Sequence, residues 1–364
     1  MQIKDITSYL ERLAPIGTAE SYDNCGLLVG DFSTEVTQTL IALDCTEDIV
    51  DEAIATGCNL IIAHHPIVFS GQKKLNGKNY VERTVIKAIK NDIAIYAIHT
   101  NLDNYRFGVN FEIGERLGLS NLRVLSPKKQ QLKKLIVFVP TESKSVVLNA
   151  LFEAGAGNIG DYAQCSFETE GLGGFLPLKN SNPALGEIGK REVVKETRIE
   201  VLVESNQLNK VLNKMVQAHP YEEVAYDIIP VENQHKYLGS GMIGELAVGV
   251  DPIAFLSQLK ITFNCGVIKH TDLCKKEIKR VAFCGGAGSF LLSEAKSCKA
   301  DIFITGDYKY HEFFDAENQL IIADIGHYES EQFTPHLLAR ILKEKFANFA
   351  VRLTGKNTNP IKYF

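Results

Sequence analysis

The chain has 364 residues, 45% of them hydrophobic and 23% charged, with a net charge of −5. That balance suits a globular chain able to bury more than one core, and it argues against an overall basic face for nucleic acid, which is not an expected partner. No apolar run reaches the ~20 residues that span a bilayer, and the start Met1-Gln2-Ile3-Lys4-Asp5 carries no apolar leader, so a cytoplasmic protein with no membrane partner is expected.

The first segment alternates strand-like and helix-like stretches. Residues 39–43 form a β run ending at Asp44, and helical spacing follows over 46–55 with Thr46 at the N-cap. Residues 59–63 are a continuous apolar run, as in a strand covered on both faces, and 93–98 are another. Helices are predicted over 81–91 and 110–117. This β-α-β-α-β order predicts a mainly parallel α/β layer.

The middle of the chain has a different rhythm. Strands are predicted over 133–140, in alternating stretches after the first helix such as 197–203, and over 226–229, with helices over 143–154 and 208–218 and a Gly-rich turn at 155–160. That is the β-α-β-β-α-β signature of a ferredoxin-like α+β unit, whose alternating strands imply an antiparallel sheet with one open face. Toward the C-terminus the α/β pattern resumes, with strands over 280–283, 301–305 and 320–323, and helices over 290–298 and 311–316. Residues 51–53 align with 293–295, and 59–65 with 301–307, suggesting an internal duplication. The expected fold is therefore α/β: two related β-α-β lobes forming one domain, 1–129 and 236–364, interrupted by an inserted domain at 130–235.

Three predicted strand ends deliver metal-ligand residue types. His64-His65-Pro66 follows the run at 59–63, and adjacent side chains diverge, so each histidine can serve a different ion. His99-Thr100-Asn101-Leu102-Asp103 follows the run at 93–98; Asp103 is a hard oxygen ligand, while His99 reads as a supporting or packed histidine. His327-Tyr328-Glu329-Ser330-Glu331 places His327 and Glu331 four apart, on one face if a helix starts there. Three imidazoles and two carboxylates suit two divalent ions, zinc first, with Mn, Fe, Co or Ni compatible, and hydrolytic chemistry is the natural expectation.

Weaker signals stay open. Asp307, Tyr308 and His311 could line the same mouth, with Asp307 and His311 as candidate substrate or acid/base residues, or they could form a capped helix start. The loop 20–26 could border the site or simply pack. Cys284-Gly285-Gly286-Ala287-Gly288-Ser289 offers backbone amides that could receive an anion, although it lacks the lysine of a P-loop. The eight cysteines include no Cys-x-x-Cys pair and are expected to be free thiols.

Four motifs, Tyr22-Asp23-Asn24-Cys25-Gly26-Leu27, Ala63-His64-His65-Pro66, His99-Thr100-Asn101-Leu102-Asp103 and His327-Tyr328-Glu329-Ser330-Glu331, together resemble the GTP cyclohydrolase 1 type 2 homologue family, also described as Ngg-one-interacting-factor-like. The middle segment, with Cys165-Ser166-Phe167 and His219-Pro220-Tyr221-Glu222-Glu223, resembles the PII/divalent-tolerance-like insertion of longer bacterial members. Tyr22 stands where many members carry tryptophan. The resemblance implies a dinuclear centre in which His64 and Asp103 hold one ion, His65 and His327 hold the other, and Glu331 contacts both. It also implies a ring-shaped homohexamer, and either a metal-dependent hydrolase of a nucleotide-type small molecule or a non-catalytic metal-binding regulatory module.

Overall fold

The computed structural model describes residues 1–364 and contains three sheets. Contacts divide the chain into two units, Met1–Pro127 with Tyr237–Phe364, and Lys128–Lys236.

The first unit is mixed α/β. Its first sheet comprises β1 (Gly26–Val29), β2 (Thr39–Ala42), β3 (Leu60–Ala63), β4 (Ala94–Ala97) and β15 (Val351–Leu353), in the order β1-β4-β3-β2-β15. All neighbours run parallel except β1, which is antiparallel to β4. Its second sheet comprises β5 (Ser120–Pro127), β10 (Gly239–Val250), β11 (Lys269–His270), β12 (Ile278–Ala287), β13 (Ile302–Gly306) and β14 (Ile321–Asp324), in the order β11-β14-β13-β12-β10-β5. Here β12, β13 and β14, the strands of the three apolar runs, pair in parallel, and the remaining pairs of the sheet are antiparallel. The antiparallel strands β5 and β10 alternate too weakly in hydrophobicity to be read from the sequence.

The parallel strands are apolar throughout because both their faces are covered. Leu60, Ile62 and Tyr96 of the first sheet share one core with Val281, Phe283, Ile302 and Ile304 of the second. Their alternate neighbours, Ile61, Ala63 and Ile95, pack with Ile49, Val50, Ala53, Val85 and Ala88 from the helices Glu47–Thr56 and Tyr80–Lys90. The helix Tyr80–Lys90 is capped by the Asn79 side chain, which accepts from Glu82 N at 2.9 Å. Thr46 occupies the cap position of Glu47–Thr56 without a side-chain cap bond; that helix ends at Gly57, whose φ of +72° forms the left-handed stop. The predicted helix at 311–316 is a 3-10 segment, Tyr310–Ala316.

The second unit has β6 (Leu132–Pro140), β7 (Ser166–Phe175), β8 (Glu192–Glu204) and β9 (Tyr226–Pro230) in the order β7-β8-β6-β9, antiparallel throughout. Leu135, Val137, Val139, Ile199, Val201 and Val203 point one way, onto Val147, Leu151, Val211 and Met215 of the helices Lys144–Ala154 and Leu208–Ala218. Phe167, Leu172 and Val193 are exposed.

Candidate metal centre

Strand register brings the candidate residues to common edges. Ala42 pairs with Ala63 and Ala63 with Ala97, so β2, β3 and β4 end level, and the residues that follow, Asp44, His64-His65 and His99, emerge together. In the second sheet Ala287 pairs with Gly306, and Thr305 with Asp324, so the Gly285–Gly288 segment, Asp307 and His327 lie at the carboxyl ends of β12, β13 and β14. Ligands gather at such edges because the connecting loops converge there.

His64, His65, Asp103, His327 and Glu331 meet in one cluster. Glu331 Oε2 lies 2.9 Å from His65 Nε2, 3.1 Å from His327 Nε2 and 3.9 Å from His64 Nε2. His64 Nε2 lies 3.5 Å from Asp103 Oδ1, and the Nε2 atoms of His65 and His327 are 3.4 Å apart. The ligand atoms of His65, His327 and Glu331 fall within 4.8 Å of one another, as do those of His64, Asp103 and Glu331, so Glu331 belongs to both triads. His327–Glu331 is a single helical turn, which places its first and last side chains on one face.

The opposite ring nitrogens are already committed. His64 Nδ1 bonds Ile98 O at 2.8 Å, His65 Nδ1 bonds Asp44 Oδ1 at 2.7 Å, and His327 Nδ1 bonds Asp307 Oδ2 at 2.7 Å. Each acceptor turns Nε2 into the cluster, which is how metal-binding imidazoles are oriented. Asp307 does this from a left-handed backbone with φ of +55°, a conformation held against an intrinsic cost. The buried atoms His64 Nε2 and Asp103 Oδ1 have no hydrogen-bond partner. Orphaned polar atoms cost free energy when buried, and a cation between them would remove that cost. The donor set therefore fits a divalent metal ion.

Burial pushes His64 down to about 3, so this imidazole is neutral and its Nε2 lone pair is free. Burial also opposes charge on His65 and His327, but bonds to Asp44 and Glu331 lift His65 to about 10, and Glu331 with Asp307 lifts His327 to about 11. Burial and the neighbouring Glu331 charge raise Asp103 well above the carboxylate range. Burial also works against the Glu331 charge, yet His327 and His65 outweigh it and hold that carboxyl low.

Residues 1–360 match the Duf34/NIF3 (NGG1p interacting factor 3) family. The chain belongs to this family. Its curated relatives include proteins called "GTP cyclohydrolase 1 type 2 homolog" from Halalkalibacterium halodurans, 38% identical over 98% of each chain, and from Bacillus subtilis, 36% identical over 99% of this chain and 98% of that one. A solved Bacillus cereus protein related to NIF3 superposes with a TM-score of 0.86 at 37% identity, covering 100% of this chain and 99% of that one.

Around the cluster, this NIF3-family chain uses residues that the sequence motifs left in the background. Asp23, in the 20–26 loop, has a fully enclosed side chain that accepts from Thr100 N at 3.0 Å and bonds His99 Nδ1 at 2.9 Å. The His99 ligand atom gathers with those of His64 and His65 within 4.8 Å. Asp44, at the end of the first apolar run, holds His65 through a contact that only the tertiary fold brings about. His311 stands apart: it is exposed, its ring 5.1 Å from Tyr310. The Gly-rich segment commits three of its amides to other elements of the fold rather than to an anion. Gly285 N donates to Asn110 Oδ1, Gly286 N to Ser330 Oγ and Gly288 N to Thr305 Oγ1. Its glycines serve approach instead: Gly286 has φ of +61°, and a Cβ there would stand 2.5 Å from Glu331 Oε1. No helix of the structure is long and apolar enough to cross a membrane.

Proposed function

We propose that this chain holds two divalent metal ions, zinc first among them, and hydrolyses a nucleotide-type small molecule, within a cytoplasmic homohexameric assembly. The observation that carries the reading is the sharing of Glu331 between two ligand triads that together include both orphaned buried atoms. His64 and Asp103 would hold one ion, His65 and His327 the other, with Glu331 common to both. Bound there, such ions supply Lewis acidity and a way to activate water near neutral pH. The residues of the chain do the rest. Asp44, Asp307 and the Ile98 carbonyl aim the three imidazoles, and Asp23 fixes His99 beside His64 and His65. The relatives' name, "GTP cyclohydrolase 1 type 2 homolog", makes GTP the first substrate to test.

The test pairs elemental analysis with turnover of GTP and other nucleotides. The parent is expected to retain about two ions per chain. His64→Ala and Glu331→Ala are expected to lose metal and hydrolysis together. Hydrolysis that persists in the metal-free double variant overturns the reading.

A second reading, a non-catalytic metal-binding module with a regulatory insertion, is favoured by the second unit. That segment, Lys128–Lys236, forms a separate compact unit and contributes no residue to the cluster. Full metal loading without turnover of any nucleotide would select it.

A further inference from the structure

The second unit contains a cavity of about 390 Å³ that plays no part in the metal chemistry. Its volume falls within the range of small-molecule sites. Its walls include Phe175, Leu178 and Tyr221, and its carboxylates are Glu196, Glu222 and Glu223. No lysine, arginine or histidine lines it. Arg191 reaches Gly174 at the margin but is not among the lining side chains.

The motif His219-Pro220-Tyr221-Glu222-Glu223 contributes Tyr221, Glu222 and Glu223 to this cavity. His219 is buried and held at both nitrogens: Nε2 bonds Phe138 O at 3.0 Å, and Nδ1 accepts from Tyr221 N at 3.1 Å. That pattern requires the neutral ring, and burial lowers its pKa in the same direction, so no positive charge sits beneath the pocket. With its backbone fixed, Tyr221 packs edge-on against His219 and Phe175 and donates its hydroxyl to Glu196 Oε1 at 3.1 Å. A Cβ at Gly173 would stand 1.8 Å from Glu196 Oε2, so the glycine is what leaves that carboxylate its place. Glu222 Oε1 accepts from Asn182 N at 2.7 Å, tying the 181–185 wall to the motif.

Aromatic faces and carboxylates around one cavity, with no cation among the lining residues, describe the complement of a positive ligand. Ring faces attract cations, and carboxylates bond charged N–H donors more strongly than neutral ones. An anion would meet three negative charges. A bare divalent ion fits poorly, because no three potential ligand atoms of this unit gather within 4.8 Å as they do in the metal cluster.

We propose that this cavity binds a small organic cation bearing N–H donors, an alkylammonium or alkylguanidinium, with its charged head on the carboxylates of Glu196 and the rim and its apolar stem against Phe175 and Tyr221. The assignment is independent of what the metal cluster does.

The test is calorimetric titration of the full chain with agmatine, with 1,5-pentanediol as the neutral control and Mg²⁺ as the divalent control. Saturable binding of agmatine, absent for the diol and weakened by added salt, is expected. Glu196→Gln should weaken it about tenfold or more, the loss expected for a charged hydrogen bond. Should Glu196→Gln fail to fold, the Glu222→Gln/Glu223→Gln pair, altered at exposed positions, carries the same expectation. Metal content should be unchanged in every folded variant. The proposal is overturned by no saturable agmatine binding to the parent, by equal binding of the diol, by tighter binding of Mg²⁺ that displaces agmatine, or by unchanged affinity in the folded glutamine variants.

Discussion

His64 in the first unit and His219 in the second are both buried, and each is tied to a backbone carbonyl, Ile98 O at 2.8 Å and Phe138 O at 3.0 Å. They part company at the second nitrogen. His219 Nδ1 accepts from Tyr221 N, while His64 Nε2 is buried with no partner, beside the equally orphaned Asp103 Oδ1. A buried histidine with both nitrogens satisfied is an architectural part. One with a nitrogen left over, facing other unsatisfied ligand atoms, is prepared for something that arrives later. The same contrast holds for the carboxylates nearby. Glu331 is enclosed among three imidazoles, whereas Glu222 and Glu223 stand exposed at the rim of a cavity.

The comparison can be broken most decisively by pH. With only side chains present, His65 and His327 keep their protons up to about 10 and about 11, so near neutrality an arriving ion must displace them. Raising the pH removes that competition, so metal affinity should increase with pH. The slope should approach about two decades per unit between pH ~6 and pH ~8 if both protons leave. Competition with a chromophoric chelator at several pH values measures it. A flat profile would mean that these imidazoles hold no protons for the ion to displace.

Next come the residues that aim the rings. Asp44→Asn and Asp307→Asn should each lower metal affinity by about 10- to 100-fold while leaving the fold intact, as loss of an orienting carboxylate does elsewhere. The same chelator assay reads the affinity, and circular dichroism checks the fold. Unchanged affinity in both would make the Nδ1 bonds incidental. The smallest expected effect sharpens the comparison from the other side. His219→Ala leaves Phe138 O and Tyr221 N without their partner and should cost about 1–3 kcal/mol of stability, with metal content unaffected. Chemical denaturation and elemental analysis report the two quantities separately. Metal loss on this substitution would erase the distinction between the two histidines.

Much of the first unit was legible in its sequence because fully buried parallel strands are apolar at every position. The runs ending at Ala63 and near Ala97 announced β3 and β4, and the residues just beyond a strand end could be assigned to a loop edge without coordinates. The long strands β5, β7 and β10 carry no clear signal in the sequence, since their hydrophobic residues are interrupted and partly exposed. Period-based reading therefore had little to work with there.

Residue type and position after a strand are local properties, so the sequence alone determined the α/β class and named His64, His65, Asp103, His327 and Glu331 as a candidate ligand set. It also suggested that His327 and Glu331 share a face, because one helical turn is enough to bring them together. Only the tertiary structure decided which partners orient those ligands. Asp44 and His65 are separated by 21 residues, Asp23 and His99 by 76, and His65 and Glu331 by 266. Such pairings depend on strand register and on two sheets sharing one core, and no local pattern encodes them. The fate of the Gly285–Gly288 amides was decided the same way, because Asn110, Ser330 and Thr305 reach them from other elements. A loop that looks open to an anion is then closed by its own neighbours, since buried amides must find acceptors wherever the fold provides them.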